Sequence, residues 1–149
     1  MSKIFEVQVE QSFAMPVERL FAHLSEHENM RPLFAPARVS RLTDGGDGRN
    51  GVGSARIITP VPMPSFIETV TTFRANELVE YRITKGSPLR NHRGAMIFRS
   101  LGPNRSSVRF DIQFEGRFPG AGPIFRFILN RGIKQGLKGL EREQRRAEQ

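Results

Sequence analysis

The 149-residue sequence contains no cysteine, no tryptophan and a single tyrosine. The absence of cysteine excludes a disulfide framework, thiol catalysis and cysteine-ligated zinc, and agrees with a reducing cytoplasm. Long hydrophobic runs are also missing, because the longest, at 124–129, is interrupted by Arg126 and is far shorter than the roughly 20 residues that span a bilayer. Met1-Ser2-Lys3 leads directly into alternating apolar and charged residues, unlike a signal peptide. We therefore expect a cytoplasmic protein without integral membrane association.

The composition is that of an ordinary globular domain. Hydrophobic residues make up 38% of the chain and charged residues 26%, and there is no internal repeat or linker. A domain of this length buries roughly 68–70% of the surface of its unfolded chain, so it needs no metal to remain folded. We predict one domain over 1–149, present as a monomer or a homodimer, with no cofactor.

Alternating hydrophobicity predicts an antiparallel sheet. The clearest strand signal runs from Val108 to Phe114, where apolar residues at every second position alternate with charged or amide side chains. Such alternation favours antiparallel strands, since parallel strands are usually buried on both faces. Weaker signals bring the number of candidate strands to seven, the other six lying at 4–13, 37–43, 53–59, 66–73, 78–84 and 93–100.

Two short helices are predicted between the first and second strands. Pro16 suits a first helical position, and apolar residues then follow at helical spacing as far as Leu24. Ser25 with Glu28 three residues later predicts a capping box that opens a second short helix, which ends near Pro36. In a meander, the three proline-containing connections at 59–64, 86–89 and 118–123 share one end of the sheet, where we expect the functional site.

The longest periodic element is a helix from about Ile124 to Arg146. Its apolar stripe must be buried, and the sheet, curling around the helix, is the available partner. Gly132, Gly136 and Gly139 lie on or beside this stripe, although each glycine costs about 1 kcal/mol relative to alanine within a helix. Two explanations remain open at this point: the glycines allow the helix to lie close to the sheet, or they leave space for a ligand.

The net charge of +8 raises the question of a polyanionic partner. Residues 119–149 carry seven cationic and three acidic side chains, which is about half of the excess. A cationic helix could bind an anionic membrane surface or nucleic acid. However, the sheet already requires the helix's apolar face, and no aromatic-rich strand with basic flanks suggests RNA binding. We therefore predict a solvated outer face and no nucleic-acid partner.

Three motif-like strings are discounted. The Gly46-to-Gly51 segment matches G-x-G-x-x-G, but it leads into a strand-like segment instead of opening a helix, so it is interpreted as a hairpin. His23 and His27 have a metal-ligand spacing, but the predicted helix break separates them and no third ligand is evident, so no metal site is predicted. The proline run at 60–64 is interpreted as an ordered loop.

The order of one strand, two short helices, six strands and a long helix resembles the START-related helix-grip superfamily (SRPBCC). That superfamily includes birch-pollen-allergen-like proteins, lipid-transfer domains and the polyketide cyclase/dehydrase and lipid-transport family. Three segments carry the resemblance: FAMPVERLF at 13–21, GSPLRNHRG at 86–94 and FPGAGP at 118–123. The resemblance implies an α+β helix-grip fold, in which a seven-stranded curved antiparallel sheet surrounds the C-terminal helix and a cavity lies between them.

Strand parity and helix periodicity place candidate cavity residues within this fold. His92, near the predicted mouth, could bind a ligand or move a proton near neutral pH, although a structural loop histidine is the more conservative interpretation. Glu68 and Arg93 are interpreted as solvated strand residues. The full candidate set is Tyr81, His92, Met96, Phe98, Phe110, Ile112, Phe114, Phe125, Leu129, Gly132, Ile133 and Gly136.

We therefore predict that the protein binds a small hydrophobic or aromatic molecule, either lipid-like or polyketide-like, in this cavity. An aromatase/cyclase- or dehydrase-type enzyme that uses the same cavity is one alternative. A lipid-shuttling or accessory protein is another. No catalytic constellation separates these alternatives at the level of the sequence.

Overall fold

The computed structural model describes residues 3–60, 63–86 and 89–147 as a seven-stranded antiparallel sheet with a long C-terminal helix. The strands are β1 (Ile4–Phe13), β2 (Arg38–Thr43), β3 (Ala55–Thr59), β4 (Phe66–Arg74), β5 (Leu78–Lys85), β6 (Leu89–Gly102) and β7 (Arg105–Gly116). The helices are α1 (Val17–Ser25), a 3₁₀ turn (His27–Met30), α2 (Arg31–Phe34) and α3 (Ala121–Ala147). These elements confirm the predicted helix-grip fold. Within the described residues, no helix combines the length and the apolar character that crossing a membrane requires.

The strand order is β1-β7-β6-β5-β4-β3-β2, so consecutive strands from β2 to β7 are neighbours and β1 pairs with β7. Register shifts interrupt the β4–β5 and β6–β7 ladders, and such bulges bend a sheet. The connections β3–β4, β5–β6 and β7–α3 lie at one end, called here the open end. The other three hairpins form the closed end. Residues 61–62 and 87–88, from two of the proline-containing loops, lie outside the described residues.

The core fills the concave side of the sheet beneath α1 and the second half of α3. On β7, the inward positions from Val108 to Phe114 are buried, as the alternation predicts. The Phe21 ring of α1 packs edge-on against Phe98, with ring centroids 4.9 Å apart. On α3, no residue between Gly122 and Ile133 is buried, so the first half of this helix covers the sheet only loosely.

The predicted capping box at Ser25 is wrong. The 3₁₀ turn has no side-chain cap, and Ser25 Oγ instead lies 3.5 Å from the carbonyl oxygen of Ala22. Glu28 forms an ion pair with Arg41 instead of capping the turn. Arg41 Nη2 donates to Glu28 Oε1 at 2.9 Å and to Glu26 Oε1 at 2.8 Å. Arg49 Nε also donates to Glu26, at 2.7 Å. These ion pairs, termed the closed-end clamp, fasten the glycine-rich β2–β3 loop to the 3₁₀ turn.

The helix glycines allow close contact with α2. A Cβ atom on Gly136 would lie 2.9 Å from Leu33 Cα, and one on Gly132 would lie 2.8 Å from the Leu33 carbonyl oxygen. The space beside these two glycines is therefore filled by Leu33, not left open for a ligand. Around Gly139, by contrast, a Cβ atom would meet nothing within 4 Å.

This difference predicts opposite effects for two alanine substitutions on one helix. We expect Gly139→Ala to raise the free energy of unfolding by about 0.5–1 kcal/mol, because alanine is the better helix former. We expect Gly136→Ala to lower it by about 1–2 kcal/mol, because overpacking against the α2 backbone outweighs that gain. Urea denaturation of the two variants measures both changes. Stabilisation by both substitutions would show that α2 moves aside without cost.

Candidate functional site

A cavity opens at the open end of the sheet, between α2, the inner faces of β3 to β6 and the first half of α3. Its volume is about 70 Å³, and its wall is mainly apolar. Glu68 and His92 are the two ionisable side chains on that wall. The lining residues are Leu33, Phe34, Ala35, Ala37, Ile58, Pro60, Phe66, Glu68, Ile83, Leu89, His92, Phe125, Ile128 and Leu129.

A buried ion pair stands at the inner end of the cavity. Arg56 and Glu68 face each other directly in the β3–β4 ladder, and each is only 3% exposed. Arg56 Nε donates to Glu68 Oε1 at 2.8 Å. Removing two charges from water carries a large desolvation cost, which such a pair offsets only when its geometry is good and its remaining polar atoms are satisfied.

His92 lies on the same wall and extends this polar cluster. Its Nδ1 accepts a hydrogen bond from the Ile83 N–H at 3.3 Å, so in the neutral ring the proton is on Nε2. That nitrogen lies 3.7 Å from Glu68 Oε2. Burial lowers the pKa of His92 below its ordinary value, although the nearby Glu68 acts in the opposite direction. A neutral imidazole therefore points its N–H towards a carboxylate beside the cavity.

Tyr81 completes the cluster behind the cavity wall. The Arg56 guanidinium lies 5.0 Å from the centroid of its ring, and the His92 ring lies at 5.9 Å. The ring packs over Gly94, where a Cβ atom would be 2.3 Å from two ring atoms, so only glycine fits opposite it. Burial raises the pKa of the Tyr81 hydroxyl, with a further contribution from Glu68.

Two donors in this cluster lack a hydrogen-bond acceptor among the described residues. They are the Tyr81 hydroxyl and Arg56 Nη2, both fully enclosed. Arg56 Nη2 does lie 2.8 Å from Glu68 Oε1, so it gains ionic attraction there without a well-directed hydrogen bond. Buried unpaired donors are rare in folded proteins and are costly to leave unsatisfied. The cluster thus has spare donor capacity next to a cavity.

The structure separates the predicted cavity residues into three groups. His92, Phe125 and Leu129 line the cavity. Gly132 and Gly136 contact Leu33, as described above. The remaining seven belong to the packed core of the described residues and do not line the cavity: Tyr81, Met96, Phe98, Phe110, Ile112, Phe114 and Ile133.

Sequence reasoning missed the ion pair. Glu68 is buried against Arg56, so its interpretation as a solvated strand residue is wrong, whereas Arg93 is exposed. The alternation of inward- and outward-facing side chains along a strand gives one signal that these charges are buried. Glu68 is two residues before the buried Val70, and Arg56 is two residues before the buried Ile58, so each charge shares a face with a core residue.

His23 and His27 do not form a shared site. His27 is buried, with Nε2 2.9 Å from Ser54 Oγ, whereas His23 Nδ1 lies 3.5 Å from the Asn29 side-chain nitrogen. Across residues 3–60, 63–86 and 89–147, no group of three or more histidine, aspartate or glutamate side chains is arranged to hold a metal ion.

Comparison with known proteins places the chain among helix-grip proteins. A sequence model described as polyketide cyclase/dehydrase and lipid transport matches residues 5–145. No curated protein matches significantly.

Several solved structures share the fold. The ZhuI aromatase/cyclase of Streptomyces sp. R1128 has a TM-score of 0.78 and 15% identity, over 99% of this chain and 97% of that one. A START superfamily protein from Mycobacterium smegmatis has a TM-score of 0.74 and 19% identity, with 95% and 98% covered. Norcoclaurine synthase from Thalictrum flavum, solved with dopamine and hydroxybenzaldehyde, has a TM-score of 0.66 and 12% identity, with 95% and 88% covered.

Proposed function

We propose that this chain, which belongs to the polyketide cyclase/dehydrase and lipid transport family, binds a small hydrophobic or aromatic molecule in the open-end cavity. The observation that carries the proposal is an apolar cavity with His92 and Glu68 on its wall and an incompletely hydrogen-bonded polar cluster directly behind that wall. Ligand sites typically combine these features: apolar walls supply affinity, at about 25 cal/mol per Å² buried, and a few polar groups set orientation.

The cavity must widen to admit such a molecule. Its volume of about 70 Å³ is smaller than the roughly 150 Å³ of a cavity that holds benzene. The least tightly packed part of the wall is the first half of α3, where Phe125 and Leu129 are only half-buried and their neighbours are exposed. Few buried apolar contacts mean a low local cost of opening. We therefore infer that the ligand enters by displacing these side chains.

The polar cluster defines the chemistry expected of the ligand. The His92 Nε2–H lies on the cavity wall, with the Tyr81 hydroxyl and Arg56 Nη2 enclosed behind it, so a carbonyl or hydroxyl oxygen is the complementary group. A carboxylate is disfavoured, because Glu68 already neutralises Arg56 and would repel a second negative charge. A neutral aromatic molecule with an oxygen substituent meets both conditions. In norcoclaurine synthase the helix-grip fold accommodates one such molecule, hydroxybenzaldehyde, together with dopamine.

The alternative is an enzyme of the cyclase or dehydrase kind, and one observation favours it. A neutral His92 with its Nε2 proton directed at the Glu68 carboxylate provides an acid and a base on the cavity wall. Such a pair could transfer a proton to or from a bound ketone. In a binding protein the same pair serves only to orient the ligand.

The direct test is uptake of the neutral fluorescent probe N-phenyl-1-naphthylamine by the purified protein. We expect saturable binding, and we expect Ala37→Leu to weaken it about tenfold or more, because the larger side chain fills the cavity. Ala22→Leu is the matched control, since Ala22 is exposed on α1, away from the cavity. Absence of saturable uptake, or equal loss in both variants, would contradict the proposal.

Native mass spectrometry of freshly purified protein then distinguishes binding from turnover. A co-purified molecule that the protein releases unchanged supports binding. If the molecule is chemically altered over time, His92→Gln should abolish that change while leaving binding within about threefold, because only proton transfer needs the titratable ring. If His92→Gln loses both binding and turnover, His92 is required for binding.

A further inference from the structure

The first half of α3 carries exposed apolar side chains on its outer side. Ile124, Phe127 and Ile128 are 57%, 64% and 48% exposed. Their i, i+3, i+4 spacing places them on one helix face, termed the outer patch. Phe118, just before the helix, is also 51% exposed. Scattered apolar residues are ordinary on a protein surface, but a contiguous group marks an interaction site.

Cationic side chains continue the same face towards the C-terminus. Arg131, Lys134 and Lys138 follow Phe127 at helical spacing and are all exposed. No carboxylate occurs between Glu115 and Glu141, so neither the outer patch nor these cations, termed the basic stripe, have an acidic residue along this segment. Arg126 is also exposed, and its guanidinium lies 5.4 Å from the centroid of the Phe5 ring.

We propose that the open end docks onto an anionic lipid surface, with the outer patch inserted among the acyl chains and the basic stripe against the headgroups. Interfacial helices combine apolar side chains with lysine and arginine in this way, and each cation near an anionic membrane strengthens binding. The outer face of the helix is exposed, as predicted, and at residues 124–128 it also carries apolar side chains. The helix buries its inner apolar side in the protein and keeps a second apolar group outside.

The position of the outer patch favours a membrane over a protein partner. Ile128 belongs both to the outer patch and to the cavity wall, so the surface that would touch lipid is continuous with the mouth. The basic stripe continues the outer patch along α3 and complements anionic headgroups. Docking is a property of the surface alone, so it is measured without any cavity ligand and can fail independently of the proposed function.

The chain's lack of tryptophan allows a direct test of insertion. Phe127→Trp introduces a single tryptophan at the most exposed position of the outer patch. On vesicles containing phosphatidylserine we expect its emission to shift to shorter wavelength and to be quenched by brominated acyl chains. Leu101→Trp, at the closed end, should show neither effect. A Phe127→Trp emission that stays unchanged would overturn the proposal.

Cosedimentation with the same vesicles tests which residues carry the binding. We expect Ile124→Ser/Phe127→Ser to weaken binding about tenfold or more, and Arg131→Gln/Lys134→Gln to weaken it about tenfold or more at low salt. The matched controls at the closed end are Val52→Ser/Leu101→Ser and Arg74→Gln/Arg105→Gln, which should bind as the wild type does. Equal losses in the controls would overturn the proposal. So would a wild type that does not bind the vesicles, the result expected if the outer patch binds a protein partner.

Discussion

Replacing Glu68 by leucine is expected to lower the free energy of unfolding by about 3–5 kcal/mol, because it leaves the Arg56 guanidinium buried without its counter-charge. Both side chains are 3% exposed, so water cannot replace the lost carboxylate without opening the sheet. Chemical denaturation at neutral pH measures the change. This is the largest single-residue effect that we expect outside the apolar core.

The double variant Arg56→Met/Glu68→Leu supplies the control. An apolar pair of similar volume removes both charges, so we expect its stability to lie within about 1 kcal/mol of the wild type. The resulting double-mutant cycle should give a coupling energy of several kcal/mol. If Glu68→Leu alone costs less than about 1 kcal/mol, the pair is reached by solvent and the buried-charge argument fails. The double variant should also bind the neutral probe while losing selectivity for oxygen-bearing ligands.

Acidification is expected to destabilise the protein before its carboxylates titrate. Burial, with Arg56 and Arg41 nearby, lowers the pKa of His27 to about 4. The unfolded chain therefore binds a proton at His27 more readily than the folded chain, so this contribution is complete above pH 6.5 and is lost as the pH falls towards 4. The shift corresponds to about 3 kcal/mol. Burial lowers the pKa values of His23 and His92 as well, and these act in the same direction.

The substitution His27→Gln tests this assignment, because an amide can still bond Ser54 but cannot take up a proton. Urea denaturation at a series of pH values from 7.5 to 4 should show a smaller loss of stability for the variant than for the wild type. His23→Gln, at a half-buried position, should change the slope less. The hydrogen bond with Arg41 lowers the pKa of Glu28 to about 2, so the stabilisation from Glu28 is present at higher pH and is lost only as the pH falls from 4.5 towards 2. Parallel curves for wild type and His27→Gln would place the acid-sensitive group elsewhere.

The sequence was sufficient for the fold because the relevant signals are local. Alternation from Val108 to Phe114 depends only on neighbours two residues apart, and it survives in β7. Likewise, the proline-containing connections mark where strands end. The failure at Ser25 is instructive: Glu28, the other half of the predicted capping box, is held by Arg41, thirteen residues further along the chain. A local capping motif does not form when a charged side chain on a strand distant in sequence provides a stronger hydrogen bond.

The site could be predicted only in part, because its main contacts join distant segments. The stretch Ala55-Arg56-Ile57-Ile58 has no clear alternation, so its inward face stays undetermined until the register with β4 places Arg56 opposite Glu68. The role of Gly136 likewise depends on where α2 lies, since the atoms it approaches belong to Leu33. The position of His92 could be predicted from strand alternation because His92, Gly94 and Met96 are buried at every second position, although the β6 bulge lies between Arg90 and Arg93.

The closed-end clamp gives the protein two ends of unequal rigidity. Charge-assisted hydrogen bonds from Arg41 and Arg49 fasten β2 and the β2–β3 loop to the 3₁₀ turn there, whereas the opposite end is held by half-buried side chains of α3. Partial separation at that weaker end then requires less free energy than global unfolding, so a bound molecule can exchange while the closed end and its amide protection persist. The open end can therefore open locally while the rest of the fold stays intact.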